Sequence, residues 1–119
     1  RDARVACNFS MLNNAAKLTD FMNWYNMITG RGVTMDEFLQ IGARGFALKR
    51  MIINRYGMTR KDDDLPPRMR TLKKVGEDIN FDVPPLYPML SEYYDIRGWT
   101  EEGRVSGEMV SKLELEEFA

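Results

Sequence analysis

The chain has 119 residues, which is the size of one domain and at the lower end for an enzyme that carries its own active site. Its charged residues cancel to a formal net charge of -1, so the composition argues against a surface that attracts nucleic acid or an anionic membrane. The sequence contains no histidine, which argues against Ser-His catalysis and against a zinc site.

Three further features of the sequence bear on its location and on whether it is part of a longer polypeptide. No apolar run approaches the length of a membrane span, and no basic-then-apolar signal sequence is present. The single cysteine, Cys7, excludes an internal disulfide and favours a reducing compartment, so we expect the cytoplasm. Because the chain begins with Arg1 rather than methionine, we also expect a piece of a longer polypeptide.

The first predicted helix follows a segment, residues 1–14, that lacks a helical period and is predicted to be extended or looped. From Ala15 to Gly30 the apolar residues follow the spacing of an amphipathic helix; they are Leu18, Phe21, Met22, Tyr25 and Ile28. The linker from Gly30 to Val33 is so short that this helix must form an αα-hairpin with the next. We expect Trp24 and Tyr25 to anchor that hairpin.

The second helix is predicted to be central and to run from about Thr34 to Tyr56. Thr34 and Glu37 match a capping box, Val33 and Phe38 match a hydrophobic staple, and Gly57 can adopt the left-handed conformation that ends a helix. The stripe predicted to be buried consists of Phe38, Ile41, Leu48 and Ile52. Gly42 and Gly45 lie one turn apart and predict the close approach of another helix.

A charged loop, residues 59–68, follows the central helix, and Pro66 with Pro67 can open a short helix after it. The loop carries mixed charges, which favours a solvated loop with an aspartate cap. Residues 73–83 lack a period and predict a surface connection.

Two more helices are predicted in the C-terminal part. The first begins at a cluster of prolines near Pro84 and ends at Gly98, with Trp99 in the position of a Schellman contact. Its predicted buried face consists of Leu86, Met89, Leu90 and Tyr93. Ser106 can cap the last helix, with Met109, Val110 and Leu113 inward, and residues 114–117 are predicted to fray. The expected fold is all-α, an irregular helical bundle built on an αα-hairpin with a long central helix.

Three stretches together are similar to a known family: RDARVAC, then MITGRGVTMDEFLQIGARGFALKRMIINRYGMTRKDDDLPPR, then LSEYYDIRGWTEEGRVS. In this order they resemble the C-terminal helical part of the tungsten-containing aldehyde ferredoxin oxidoreductase family, and the resemblance covers nearly the whole chain. It implies that residues 1–119 are a single C-terminal helical domain that starts within the family's pterin and cluster motif.

The resemblance also implies site residues, all of them in the first stretch. Cys7 would be the last of four ligands to a 4Fe-4S cluster beside a tungstopterin, whose metal is tungsten or molybdenum. Asp2 would hydrogen-bond the pterin, and the backbone amides of Val5 and Ala6 would face it. The family's usual Gly-Leu is Val5-Ala6 here, and valine in place of glycine restricts the backbone.

For function, the resemblance implies a whole enzyme that oxidises an aldehyde to a carboxylic acid and passes electrons through the cluster to ferredoxin. The implied partners are an N-terminal cofactor-binding domain of the same polypeptide, ferredoxin and the aldehyde. Whether the whole enzyme is a homodimer stays open. Because the other three cluster cysteines are missing, we expect the 119-residue chain alone to bind no cofactor, to carry no catalytic residue and to be inactive.

Two alternatives stay open at this stage. One is an oxidoreductase of the same family with another substrate, such as an aromatic thioester. The other is a stand-alone helical interaction module with an inert Cys7. If the resemblance to the family holds, the loop 59–68 becomes a candidate for the wall of a substrate channel or for an interdomain contact.

Overall fold

A computed structural model describes residues 15–71, 74–76, 79–81 and 83–119, the two short middle ranges by their backbone alone. The α-helices are α1 (Leu18–Thr29), α2 (Met35–Arg55), α3 (Pro67–Thr71), α4 (Leu86–Arg97) and α5 (Gly107–Lys112). Single 3-10 turns lie at Arg60–Asp62 and Glu116–Phe118. Among the described residues, no helix combines the length and the apolarity that crossing a membrane requires.

The all-α prediction is confirmed, with one local addition in the predicted surface connection. Strands β1 (Lys74–Gly76) and β2 (Ile79–Phe81) form an antiparallel pair in which Lys74 lies opposite Phe81. Strands of three residues are too short to show the apolar alternation by which a strand is recognised in a sequence.

The predicted start and end of α2 are both confirmed. The Thr34 hydroxyl accepts a hydrogen bond from the Glu37 amide at 3.3 Å, and the Glu37 carboxylate accepts one from the Thr34 amide at 2.7 Å. This capping box satisfies amides that have no partner within the helix. Gly57 has a φ of 89°, the left-handed conformation that glycine adopts without strain and that lets the chain leave the helix.

Helices α1 and α2 form the predicted hairpin. The Asn26 side chain accepts a hydrogen bond from the Val33 amide at 2.8 Å and donates one to the Val33 carbonyl at 2.9 Å, which fixes the linker. Tyr25 packs edge-on against Phe38 with 5.8 Å between ring centroids, as predicted. The prediction was wrong for Trp24, whose residue surface is 48% exposed.

The buried stripe of α2 differs in part from the predicted one. Phe38 is buried and Ile41 and Leu48 are half-buried, but Ile52 is 46% exposed. The hydrophobic core consists of Ala47, Met51, Val110, Leu113 and Leu115, with Ala43 and Leu48 packed against it. The α2 side of this core includes Ala43 and Ala47, four residues apart, and side chains of α5 and the C-terminal tail pack there. The pattern of large residues did not reveal this face. The close approach predicted at Gly42 and Gly45 stays a prediction.

Helix α4 ends in the predicted Schellman motif. Gly98 has a φ of 64°, its amide donates to the Asp95 carbonyl at 3.0 Å, and the Trp99 amide donates to the Tyr94 carbonyl at 2.9 Å. Trp99 is buried. On the helix itself Tyr94 is the buried residue, whereas Met89, predicted to be inward, is exposed.

The C-terminal tail was wrongly predicted to fray. Ser106 caps α5 by accepting a hydrogen bond from the Met109 amide at 3.2 Å, and Val110 and Leu113 are buried as predicted. After a residue of positive φ, Glu114, the chain reverses and inserts Leu115, which is 0% exposed, into the core. Arg55 then donates a hydrogen bond to the Phe118 carbonyl at 2.6 Å, so the tail is held against α2.

Candidate functional site

The four residues that the sequence predicts as cofactor contacts, Asp2, Val5, Ala6 and Cys7, all lie outside the described residues. Their roles stay predictions. Within the part of the chain that the structure does describe, no three histidine, cysteine, aspartate or glutamate side chains gather where they could hold a metal ion.

The described residues contain a cleft between α2, the charged loop and α4, which we call the aromatic cleft. Its volume is about 410 Å³. It is lined by Phe46, Arg50, Asp62, Asp63, Asp64, Leu65, Leu86, Leu90, Tyr93, Tyr94 and Trp99. Most of its walls are therefore apolar or aromatic, and its polar groups are concentrated on the loop and at Arg50.

The floor of the aromatic cleft is an ion pair between α2 and the loop. Arg50, only 5% exposed, donates two parallel hydrogen bonds to the Asp63 carboxylate, at 2.8 and 2.5 Å. The Tyr94 hydroxyl donates a further hydrogen bond to the same carboxylate. A bidentate guanidinium and a phenol together satisfy the carboxylate in a way that one point charge would not. We call these three residues the Arg50 network.

The Arg50 network extends to the turn after α4 through the Gly103 carbonyl. That carbonyl accepts hydrogen bonds from the Arg50 side chain at 2.6 Å and from Asn54 at 3.3 Å. Gly103 has a φ of 74°, and a Cβ there would lie 2.9 Å from the Tyr94 hydroxyl oxygen and against the Arg50 guanidinium. Glycine is required at this position by both the backbone and the space.

The ionisation of the network follows from these contacts. Burial raises the pKa of Asp63, but hydrogen bonds from Arg50 and Tyr94 and the nearby positive charges outweigh it, so the pKa lies below its ordinary value. Burial and the hydrogen bond to Asp63 raise the pKa of Tyr94 to about 12. For Arg50, burial alone would lower the pKa. The hydrogen bonds and the negative charge of Asp63 outweigh this effect, so the pKa of Arg50 is raised and the guanidinium stays charged. The network is an ion pair with a neutral phenol.

A second arginine fastens the loop to α4 from the other side. Arg60 donates hydrogen bonds to the Glu101 carboxylate at 2.8 Å, to the Ser91 hydroxyl at 2.8 Å and to the Tyr87 carbonyl at 3.1 Å. Its guanidinium also lies 5.2 Å from the centroid of the Tyr94 ring. The interpretation as a solvated loop therefore does not hold for Arg60 and Asp63, although Lys61 is exposed.

One wall of the aromatic cleft consists of two stacked rings, each of which also contacts an arginine. Trp99 stacks on Phe46 with 6.0 Å between centroids and an angle of 8°. Arg97 lies 4.5 Å from the Phe46 centroid, and Arg50 lies 4.9 Å from the Trp99 centroid. Cation–π contacts of this kind order both the rings and the guanidinium groups, so the wall is preformed.

The partners of the aspartates in the aromatic cleft indicate what kind of group the cleft can bind. Asp63 is paired with Arg50, Asp64 pairs with Arg70 at 3.3 Å, and the Asp62 carboxylate accepts the Thr59 amide at 2.8 Å. No histidine is present in the sequence. The cleft is thus suited to hold or guide an uncharged apolar group.

Sequence reasoning missed Arg50 and Tyr94 as members of this site. A signal was present, because an arginine within an apolar stripe needs a buried acceptor and the nearest candidates were the three aspartates at 62–64. The partner among the three depends on the tertiary fold.

The ion pair between Arg50 and Asp63 makes the free energy of unfolding depend on pH in the acid range. Because the pKa of Asp63 is lowered on folding, its contribution is complete above the ordinary aspartate value of 3.8 and is lost as the pH falls through the folded pKa. We expect Asp63→Asn to lower the free energy of unfolding at neutral pH. Below pH 3.8 we expect this free energy to fall less steeply with pH in the variant than in wild type. Urea unfolding at a series of pH values measures this, with the exposed Glu92→Gln as control. An unchanged acid slope in Asp63→Asn would contradict the pairing.

These features define a helical domain with a preformed apolar cleft, and the comparisons with known proteins place it in a family. The family model described as aldehyde ferredoxin oxidoreductase, domains 2 & 3, matches residues 1–115. The chain belongs to the aldehyde ferredoxin oxidoreductase family, which confirms the resemblance.

The relatives give the same assignment. The tungsten-containing aldehyde ferredoxin oxidoreductases of Pyrococcus horikoshii and Pyrococcus abyssi are 33% and 32% identical to the chain over 118 residues. The aliphatic sulfonate oxidoreductase, WOR-like subunit, of Pyrococcus furiosus is 29% identical over 131 residues. Each alignment covers 98% of this chain and 19% of the relative, so the chain spans about a fifth of the length of these curated relatives.

Proposed function

We propose that residues 1–119 are the C-terminal helical domain of a tungsten-containing, ferredoxin-dependent aldehyde oxidoreductase of the cytoplasm. The observation that carries this proposal is the family match over residues 1–115, in a region described as domains 2 and 3 of such an enzyme. Relatives that align with 98% of the chain are named as tungsten-containing, which supports the choice of metal.

In this proposal the whole polypeptide oxidises an aldehyde with water to a carboxylic acid. A tungstopterin and a 4Fe-4S cluster would supply the redox chemistry, with two one-electron equivalents of ferredoxin as the acceptor and the protons released to solvent. The chemistry belongs to the cofactors. This chain contributes ligands and walls, and the chain alone is inactive.

Cys7 is the proposed cluster ligand. A 4Fe-4S cluster is held by four thiolates, and the chain has one cysteine, so the other three must come from elsewhere in the polypeptide. The proposed pterin contacts are Asp2, through its carboxylate, and Val5 and Ala6, through their backbone amides. The resemblance of RDARVAC to the family's pterin and cluster motif supports these roles.

The aromatic cleft is the proposed contribution to the substrate channel. Its walls are mostly apolar or aromatic, Asp63 and Asp64 are paired with arginines within the domain, and Arg50 and Arg60 hold the loop 59–68. Such a surface can guide an uncharged aldehyde without holding it by charge. A preformed wall also avoids the cost of ordering a loop each time a substrate passes.

The proposal is tested on the full-length polypeptide purified without oxygen. We expect tungsten and iron to be bound, and ferredoxin to be reduced when an aldehyde is added. Molybdenum in place of tungsten would change the metal but keep the function. A polypeptide that binds neither metal, or a reading frame with no further cysteines upstream, would contradict the proposal and favour a stand-alone helical module.

A second candidate substrate is favoured by one comparison. The relative from Pyrococcus furiosus that is named as an aliphatic sulfonate oxidoreductase subunit aligns with the same 98% of the chain. Its identity, 29%, is close to the 33% of the first relative. Offering aliphatic sulfonates and aldehydes to the same preparation separates the two, because only one class should reduce ferredoxin at a substantial rate.

A further inference from the structure

Helix α1 has two apolar faces, and one of them packs against other described residues of the domain. Tyr25 faces α2 and contacts Phe38. On the other side Trp24, Met27 and Ile28 are 48%, 81% and 84% exposed. Because residues three and four apart are neighbours on a helix surface, these three side chains form one continuous strip, which we call the outer stripe of α1.

The outer stripe exceeds what a surface helix requires. One apolar face of about 100° is enough to hold such a helix against a core, and α1 already has that face. Single exposed apolar residues are common, but three large ones side by side are typical of a surface that is covered in the functional state. The Phe21 ring packs edge-on against Trp24 at 5.2 Å, which orders the indole.

We infer that the outer stripe of α1 docks against the cofactor-binding part of the same polypeptide. The inference rests on the proposed function, because that part exists only if the chain belongs to a longer enzyme. Two observations choose this occupant over others. The chain spans 19% of the length of its relatives, so most of a polypeptide of that kind lies outside it.

The second observation is the short tether between α1 and Cys7. Leu18, the first residue of α1, comes eleven positions after Cys7, and an extended chain covers at most about 3.5 Å per residue, or roughly 38 Å in all. If Cys7 binds a cluster whose other thiolates come from the rest of the polypeptide, the start of α1, Leu18, must lie within that distance of it. The outer stripe is the largely exposed surface of the helix that this tether connects to Cys7.

The chemistry of the stripe specifies the surface it fits. Trp24, Met27 and Ile28 carry no charge, and the indole N–H is their only strong hydrogen-bond donor. A matching surface is apolar and uncharged, since a buried and unpaired charge opposite the stripe would be costly. Methionine at the centre adapts to the shape of its partner.

Oxidation of Met27 in the full-length polypeptide tests the docking. Peroxide modifies accessible methionines, so the rate is compared between the native and the urea-unfolded polypeptide. We expect Met27 to react at least about fivefold more slowly in the native state, as a covered side chain does. Met51, 8% exposed in the core, supplies the reference for protection. A native rate for Met27 close to the unfolded rate would overturn the inference.

A photo-crosslinker at position 28 identifies the occupant. We expect a crosslink to residues upstream of this chain within the same polypeptide. A crosslink to a second copy, seen as a doubled mass on a denaturing gel, or to another part of residues 1–119, would overturn the inference. Metal content separates this test from that of the proposed function, because a tungsten- and iron-containing polypeptide with freely oxidised Met27 refutes the docking alone.

Discussion

Replacing Arg50 with methionine is expected to lower the free energy of unfolding by about 3 to 5 kcal/mol, the usual cost of removing one partner of a buried ion pair. Methionine keeps an apolar stem of similar length, so the loss is mainly electrostatic. Asp63 would lose both hydrogen bonds from Arg50 and keep the one from Tyr94, and the Gly103 carbonyl would lose its bond of 2.6 Å. Urea unfolding of the chain measures the change.

The matched control is Arg44→Met on the same helix. Arg44 pairs with Glu114 at 3.5 Å, and the two side chains are 43% and 83% exposed, so its loss should cost only about 0 to 1 kcal/mol. The double variant Arg50→Met with Asp63→Asn should be more stable than Arg50→Met, because it no longer buries an unpaired carboxylate. Equal costs for Arg50→Met and Arg44→Met would contradict the role of the network.

The position of Arg50 explains why one substitution should affect the aromatic cleft as a whole. The guanidinium contacts Asp63 on the loop, Gly103 on the turn after α4, and the face of Trp99. It therefore joins α2 to the charged loop and to the turn after α4 that contains both Trp99 and Gly103. Without it, the loop that forms one side of the cleft would be held mainly by Arg60.

Local structure was predictable wherever all the residues that determine it lie within one short segment. The capping box of Thr34 and Glu37, the glycine after α2 and the Schellman motif at Gly98 each need only a few neighbouring residues. All three are present.

Predictions failed where the outcome depends on distant partners. Ile52 and Met89 were assigned to the core from their spacing, yet both are exposed, because the direction of the buried face is set by the elements that pack there. Leu115 was expected in a frayed tail and is the most buried residue of the core. Nothing in the sequence around Leu115 indicates that the fold provides a core position for a residue after the last helix.

The candidate sites divide in the same way. The link between Arg50 and Asp63 spans 13 positions and the link between Asp63 and Tyr94 spans 31, so no motif marks the network. Cys7, by contrast, was singled out through the resemblance of a short motif. Its proposed role would require further cysteines that this chain does not contain.

Replacing Cys7 with alanine in the full-length polypeptide is expected to remove most of the cluster iron and the reduction of ferredoxin. Alanine deletes one of four iron–thiolate bonds, and no other cysteine of this chain can substitute for it. The helical core should stay folded, since none of its residues, Ala47, Met51, Val110, Leu113 and Leu115, is changed. Far-UV circular dichroism checks the fold, and Asn8→Ala is the control in the same segment.

The most direct test of the account is the iron content of this Cys7→Ala polypeptide, measured beside wild type and Asn8→Ala with the visible absorbance of the cluster. The account predicts that iron and absorbance fall strongly in Cys7→Ala alone, with the helical signal unchanged in all three. Full iron occupancy and normal ferredoxin reduction in Cys7→Ala would contradict the assignment of Cys7 as a cluster ligand.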